Sequence, residues 1–483
     1  MKKNKFIDVY DLSPMQEGML FHSLYEASHA YFQQITMELK GHFEVVVFEN
    51  AINSIIAKYD IFRTVFLHER LSKPRQVVLA ERKLKVDYKD FTDLTEVEQR
   101  KQIESFKQQD KERGFDLSKD LLMRFTVIQT QADRYFLIWS FHHILMDGWS
   151  LGIVMNELFQ LYQQMIHNQS PYVGKAVSYS KYIRWLAEQD REKAHNYWKT
   201  YLKDYSEAVG IPRLTSHASG RYTLKERRFI IDAKLTKDVI ELARSLHVTP
   251  NIVFQTIWGI LLQKYNQTDD VVFGSVVSGR PSVIPQVEKM VGLFINTVPV
   301  RVQRKRGDTF AELATRAQEI LLSSEPYSYL SLADIQSETE LGHHLINHLF
   351  VFENYPIQDS LRNDAALDQY GFQVLGIEAF EQTNYDLNVT VFPGEEFLVK
   401  VTFNAEVYAD QMIENVVRHL KQILSQVVCN PDLPVEQIDL LSEEEKQQLL
   451  FRFNETRMDY PREKTIHALF EEQVEKTPDQ IAV

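Results

Sequence analysis

Apolar residues follow two periods along this chain, and the switches between them place its elements. Tyr135, Phe136, Leu137, Ile138, Trp139, Ser140 and Phe141 form an aromatic and β-branched run, the pattern of a buried strand. Leu151, Val154, Leu158, Leu161 and Met165 then recur at helical spacing, so a helix follows. Earlier, Phe48, Ala51, Ile52, Ile55 and Ile56 predict an amphipathic helix that ends near Tyr59 and Asp60. Residues 61–66 next read as a strand, whose two-residue period puts Arg63 on the same face as Ile61 and Val65. Ser13-Pro14-Met15-Gln16 opens a further helix, with Ser13 as N-cap, Pro14 in the first turn and Gln16 completing a capping box.

A helical, charged region at 178–206 carries Tyr179, Tyr182, Trp185, Tyr197 and Trp198, and a boundary between two lobes is expected inside it. The polar run 215–220 reads as a loop. A second α/β lobe then repeats the layout of the first. It has a strand at 228–231, helices through Leu242 and over 257–265, strands at 271–277 and 291–302, and a helix at 310–322. Further strands are expected near 348–352, 384–392 and 397–403, with a closing helix at 411–428. Residues 438–464 turn acidic and helical, then polar, as in a linker. Thr465 caps a helix carrying Ile466, Leu469, Phe470 and Val474, and Ile481-Ala482-Val483 begins a strand with no partner. A lone strand is not stable, so the chain is expected to be cut inside a further domain.

Composition narrows the field. With 483 residues, 44% of them hydrophobic, two or three compact units are expected. A net charge of −13 argues against nucleic acid and supplies no basic stripe for a membrane surface. No apolar stretch approaches the length of a membrane span, and Met1-Lys2-Lys3-Asn4-Lys5 does not open a signal peptide. The single cysteine, Cys429, excludes a disulfide framework and fits a reducing, cytoplasmic setting; late in a helix, it reads as a buried small side chain. His344 and His348 stand four apart, but no glutamate follows the first and no third ligand is evident. A solvated or capping role is expected there, and no metal.

The chemistry concentrates in Phe141-His142-His143-Ile144-Leu145-Met146-Asp147-Gly148. Its histidines sit on a strand-to-helix loop, where α/β proteins place their sites. A neutral imidazole there takes a proton near pH 7, and Gly148 lets the backbone approach whatever binds. An isolated pair of histidines would more simply be structural, one ring in the core and one in water. Arg63, on an apolar face, needs a carboxylate; Asp147, equally in need of a cation, is one candidate, and a surface acid reached by snorkelling is the other.

The HHxxxDG spacing resembles the signature of the condensation domains of non-ribosomal peptide synthetases, members of the chloramphenicol acetyltransferase-like superfamily. Segments at Ser13 to His22, around Arg63, at Tyr179 to Trp185 and at Gly292-Leu293-Phe294-Ile295-Asn296-Thr297 follow in that family's order. The likeness covers about residues 8 to 440. It implies an α/β (α+β sandwich) fold of two chloramphenicol acetyltransferase-like lobes in a V, with a tunnel between them. The implied organisation is a docking segment at 1–10, an N-terminal lobe at 11–180 and a C-terminal lobe at 181–437. A linker at 438–464 and the truncated start of an adenylation domain at 465–483 complete it. Gly279-Arg280-Pro281 falls at the family's floor loop, and the strand at 384–392 at its latch.

The same resemblance implies the reaction. An acceptor aminoacyl thioester attacks a donor peptidyl or aminoacyl thioester, both on phosphopantetheine arms of carrier proteins, with no cofactor bound by the domain itself. His143 is then catalytic, as base or as a group orienting the amine; His142 fixes the loop, and the Gly148 backbone N–H lies near the opening. Asp147 and Arg63 form a structural pair, and Trp149, Asn296 and Ser13 face the substrate tunnel. Partners would be an upstream donor carrier protein arriving in trans, a downstream acceptor carrier and an adenylation domain in cis. The Leu12 to His22 segment resembles the form found with D-configured donors. Residues 324–330 and 348–356 depart from the HQDxPFE-like and RDxSRNP motifs usual at those places. An epimerisation domain shares the loop but would carry an EGHGR-like motif, which is missing here. A CoA-dependent acyltransferase or a silent docking platform are the other readings.

Overall fold

The computed structural model describes residues 6–25, 30–171, 174–214, 222–353, 369–457, 459 and 461–481. The loop expected at 215–220 lies outside these residues, as do the first five residues of the expected docking segment, positions 354–356 of the segment at 348–356, and Ala482 and Val483. The chain divides into two compact units, Met1–Ile438 and Asp439–Val483.

In the large unit, β1 (Phe6–Tyr10) leads into α1 (Pro14–Tyr25), β2 (Phe32–Gly41) and α2 (Val45–Lys58). A 3₁₀ turn at Asp60–Arg63 enters β3 (Thr64–Leu67), followed by β4 (Arg75–Leu79), β5 (Asp87–Asp90) and α3 (Glu96–Arg113). The hairpin of β6 (Met123–Gln131) and β7 (Arg134–His142) feeds a 3₁₀ turn at His143–Leu145 and then α4 (Gly148–Ile166). Helices α5 (Ser180–Ala187) and α6 (Arg191–Tyr201) lead to the second half.

That half contains β8 (Leu224–Ile231), α7 (Ala233–Ser245), α8 (Pro250–Asn266), β9 (Asp270–Val277) and β10 (Asn296–Gln303). It continues with α9 (Phe310–Ser324), α10 (Leu332–Ser337), β11 (Leu349–Phe352), β12 (Phe372–Glu381), β13 (Leu387–Phe392), β14 (Phe397–Asn404) and α11 (Asp410–Cys429). Local chemistry sets many of the helix starts. Thr95 with Glu98, and Thr309 with Glu312, close reciprocal capping boxes, while Asp147, Asp232 and Thr249 each accept a first-turn N–H. In the small unit, Asp439–Val483, Ser442 and Glu445 form the same box at the start of α12 (Glu443–Leu450), and α13 (Ile466–Lys476) follows.

The strands form a mixed α/β architecture. A six-stranded sheet runs β10-β9-β11-β13-β14-β8, a five-stranded sheet β12-β2-β7-β6-β5, and a small sheet β1-β4-β3. β12 belongs to the second half in sequence but adds to the first half's sheet, antiparallel to β2 from Phe372↔Gly41 to Glu381↔Gln33. Phe372 is fully buried there, its ring 5.4 Å from Phe43, 5.8 Å from Phe159 and 5.7 Å from Tyr162. Burial of one such side chain stabilises by about 2 kcal/mol, so the crossing strand is held by its packing as well as its ladder.

Three expectations change. The crossing strand is β12 and not 384–392: β13 lies inside the six-stranded sheet between β11 and β14, and its nearly continuous run of buried residues is the pattern of an interior strand covered on both faces. Residues 60–63 form a 3₁₀ turn before a short β3, so Arg63 is not on a strand. Cys429 is exposed, because it is the last residue of α11. No described helix is long and apolar enough to cross a membrane.

Candidate active site

The site is built where β7 stops. His142 ends the strand and His143 begins the 3₁₀ turn, and its backbone N–H donates to Tyr31 O on the neighbouring chain segment at 2.8 Å. Asp147 then N-caps α4, its Oδ1 accepting the Ser150 N–H at 2.8 Å, and Gly148 takes the first helical position, half-buried. Aspartate at an N-cap is favoured both by the unpaired amides and by the positive end of the helix.

Asp147 also clamps the second half of the chain. Its Oδ2 accepts the Phe294 N–H at 3.0 Å and its Oδ1 lies 3.1 Å from Arg280 Nη2. Arg280 donates in addition to Val287 O, Met290 O and Ser150 Oγ at 2.7, 3.0 and 2.8 Å, and its guanidinium lies 3.9 Å from the Phe294 ring centroid. Ser150 Oγ donates to Gly292 O at 2.8 Å. The turn that delivers Arg280 depends on Gly279, at φ +59°, where a Cβ would sit 1.8 Å from Phe294 O.

The expected pairing of Arg63 with Asp147 is therefore corrected. Arg63 donates to Asp60 at 2.8 Å, to Leu79 O at 3.2 Å, and to Ile56 O and Ala57 O. Those last carbonyls lie at the C-terminal end of α2, so Arg63 caps that helix, where a cation is favoured. The 3₁₀ turn is the physical reason: it folds Arg63 back over the helix it follows. Arg280, inside the flagged Gly279-Arg280-Pro281 loop, is the cation that Asp147 requires.

The two histidines have different partners. His142 Nδ1 accepts the Ile144 N–H at 3.1 Å, so its proton is on Nε2, facing Ser23 Oγ at 3.2 Å. Ser23 gives its own proton to Met19 O at 2.7 Å and so accepts from the ring. Burial, helped by the neighbouring His143, pushes the His142 pKa down to about 3: the ring is neutral, with one tautomer. His143 Nδ1 is 2.9 Å from Met146 O, and Nε2 is 3.4 Å from Glu381 Oε1 at the end of β12. Burial acts to lower the His143 pKa, but Glu381 outweighs it, with the backbone carbonyl and Asp147 adding, and the net direction is upward.

Glu381 accepts from Gln33 Nε2 at 2.9 Å. Burial opposes its ionisation, yet His143, Lys400 and Gln33 outweigh that and hold the carboxyl at about 2. Glu353, just past β11, moves the other way, to about 7, through burial and then the Glu381 charge, against Lys400 and His143. Two carboxylates of opposed proton affinity thus act on the His143 ring, and Lys400 acts in turn on both of them.

Other expected residues have protein partners. Ser13 is buried and its Oγ accepts the Gln16 N–H at 3.3 Å, while Gln16 Oε1 accepts the Ser13 N–H at 2.9 Å. Asn296 donates to Ser328 O and Leu330 O, both at 2.7 Å, stitching β10 to the segment before α10. Trp149 is 39% exposed, with Nε1 donating to Glu288 O at 3.0 Å. The solvated or capping role expected for His348 is corrected: the ring is buried in the core, where Nε2 accepts the Trp258 Nε1–H at 3.0 Å. Among the described residues, no group of three or more His, Cys, Asp or Glu side chains could hold a metal.

Sequence reasoning missed Glu381, Glu353, Gln33 and Ser23. Gln33 and Glu381 stand 348 positions apart, and only the antiparallel register of β2 and β12 brings them together. The one available signal was the charged end of an alternating strand pattern at 372–381.

Comparison with known proteins gives the family and the fold. The condensation domain family model matches residues 7–450. Gramicidin S synthase 2 of Brevibacillus brevis is 43% identical over 484 aligned positions, covering 100% of this chain and 11% of that protein. Tyrocidine synthase 2 of Brevibacillus parabrevis is 42% identical over 482 positions, covering 100% of this chain and 13% of that protein. The chain thus spans only 11% and 13% of the length of these two curated relatives. Among solved structures, a four-domain nonribosomal peptide synthetase bound to AMP and glycine superposes with a TM-score of 0.79 at 16% identity, over 99% of this chain and 37% of that one. This chain belongs to the condensation domain family, the amide-forming domains of non-ribosomal peptide synthetases.

Proposed function

We propose that the chain couples two carrier-bound thioesters: the amine of an acceptor aminoacyl thioester attacks the carbonyl of a donor peptidyl or aminoacyl thioester. The new C–N bond forms, the donor C–S bond breaks, and the lengthened chain stays on the acceptor arm. Phosphopantetheine belongs to the substrates, delivered by an upstream donor carrier and a downstream acceptor carrier, with an adenylation domain adjoining. The Leu12 to His22 segment supports a D-configured donor residue, by resemblance. The single cysteine supports a cytosolic setting.

The observation that carries this reading is the fixed pair of rings at the end of β7. His142 is locked neutral by two hydrogen bonds, and His143 stands beside it against a buried carboxylate. Asp147 and Arg280 hold the loop that carries them, and resemblance alone supports Gly148 near the opening and Trp149, Ser13 and Asn296 at the substrate tunnel. Approximation of two tethered substrates supplies up to about 7–11 kcal/mol when orientation is good, and the His143 ring contributes at the reacting centre.

Reconstitution with donor and acceptor loaded on separate carrier proteins tests the reading. A dipeptidyl thioester formed by the wild type and lost in His143→Ala supports it. Unchanged coupling in that variant, or a racemised donor without coupling, overturns it.

A further inference from the structure

We propose that Glu381 is a positioning residue that keeps His143 protonated, so that the ring serves the reaction as a cationic hydrogen-bond donor and not as its base. The inference rests on the coupling reaction proposed above and assigns the state of its central side chain.

The geometry carries it. His143 Nδ1 faces an acceptor, Met146 O at 2.9 Å, and Nε2 faces another, Glu381 Oε1 at 3.4 Å. A neutral imidazole has one N–H and one lone pair. In either tautomer a lone pair would point at an oxygen lone pair in a buried site, where such contacts are costly. The imidazolium alone gives a proton to both. Shifting the proton onto Glu381 would not relieve this, because Gln33 donates to the same Oε1 at 2.9 Å and Lys400 favours its charged form. His142 shows the contrast: its two nitrogens face one donor and one acceptor, and it is neutral.

The ion pair leaves room for substrate. Charge-assisted N–H···O contacts close to about 2.7–2.9 Å, and Nε2 to Oε1 is 3.4 Å. Glu381 is tethered by Gln33, and His143 by its own N–H and Nδ1, so neither side chain moves freely to close the gap. The Nε2–H is thus available to turn toward an oxygen that gains negative charge. The charged and titratable groups acting on the ring are His142 from β7, Asp147 from the start of α4, Glu381 from β12 and Glu353 beyond β11, and Lys400 from β14 acts on the two glutamates. The upward direction of the His143 pKa agrees with this arrangement.

The step balances without a proton leaving His143. The neutral acceptor amine adds to the donor carbonyl, whose oxygen becomes an oxyanion facing Nε2–H. The oxyanion collapses, the C–S bond breaks, and the leaving sulfur takes the proton that the new amide nitrogen sheds. His143 starts and ends as the imidazolium.

Two measurements on the full chain test the assignment. With ¹³C-labelled histidine, the His143 resonance is identified by its loss in His143→Gln and titrated in wild type and Glu381→Gln. The expected result is a midpoint lowered by about one pH unit or more in Glu381→Gln, with Glu381→Asp between the two; an unchanged midpoint overturns the inference. In carrier-based coupling assays, Glu381→Gln should lower kcat by about 10²- to 10³-fold with little change in acceptor KM, and activity should be lost at lower pH on the alkaline side. A variant that gains activity on the acid side would make His143 the base and overturn the assignment. Loss of coupling in His143→Ala with no change of midpoint in Glu381→Gln sinks this inference alone, whereas full coupling in His143→Ala sinks the function itself. A melting curve for each variant separates these outcomes from misfolding, and Glu381→Asp supplies the readout if Glu381→Gln does not fold.

Discussion

Asp147 and Arg280 are 133 positions apart and meet at 3.1 Å with 1% and 6% of their side chains exposed. Each would be a stranded charge without the other. Removing one partner of such a buried pair costs about 3–5 kcal/mol. Arg280→Ala should therefore lower the denaturation midpoint by several degrees, and a double-mutant cycle with Asp147→Asn should show strong coupling. A cycle that is additive would remove the pair from the account of the loop.

Arg63→Ala should also destabilise, but through α2. It takes a donor from Ile56 O and Ala57 O, both near the end of that helix, and strips the cation from Asp60, which keeps only the Ser178 hydroxyl. About 2–3 kcal/mol is expected for charged hydrogen bonds of this kind. Combined with Asp147→Asn the two losses should add, as they do for sites without shared partners. Urea titrations of the single and double variants decide it.

Gly292 and Gly18 make opposite forecasts. A Cβ on Gly292 would lie 2.2 Å from the Tyr179 ring, whose hydroxyl donates to Leu293 O, so the ring has nowhere to retreat. Gly292→Ala should cost about 1–3 kcal/mol, the range for overpacking a core. Gly18, inside α1, has nothing within 4 Å of that position. Gly18→Ala should raise stability by about 0.5–1 kcal/mol, from helix propensity and a less free unfolded chain. Thermal melts of the two variants should move in opposite directions.

Acid should weaken the large unit well above the carboxylate range. His142 and His348 are both held neutral by burial, with pKa values pushed down to about 3. The unfolded chain binds protons at these rings below about pH 6.5, and the folded chain does so only near pH 3. Stability is thus complete above about pH 6.5 and falls as pH drops through that window. His143 has the reverse sign, because its raised pKa adds stability that is lost as pH rises through it. Comparing urea midpoints at pH 7 and pH 5 should show less acid sensitivity in His348→Asn, which keeps an acceptor for the Trp258 N–H.

Much of the site's frame was legible because it is local. The strand to His142, the helix from Gly148 and the Ser13–Gln16 box follow from neighbours within a turn, and the structure has all three. Arg63 was misjudged by a short-range feature, a 3₁₀ turn in place of a strand, which rotates the side chain away from the expected face. Glu381 was legible only as a charge at the end of a strand pattern. Its meaning depends on the register of a strand pair separated by most of the chain, and no periodicity carries that. The same holds for Arg280, whose loop was noticed but whose partner was not.

The placement of β12 limits how such a protein can be cut and recombined. A fragment ending before Phe372 would leave the outer side of β2 without its ladder and open a hole beside Phe43, Phe159 and Tyr162. An unpaired strand next to bare aromatic rings invites aggregation. A chimera that takes its first 200 or so residues from one parent should therefore take 369–381 from the same parent, since those distant stretches behave as one inherited piece.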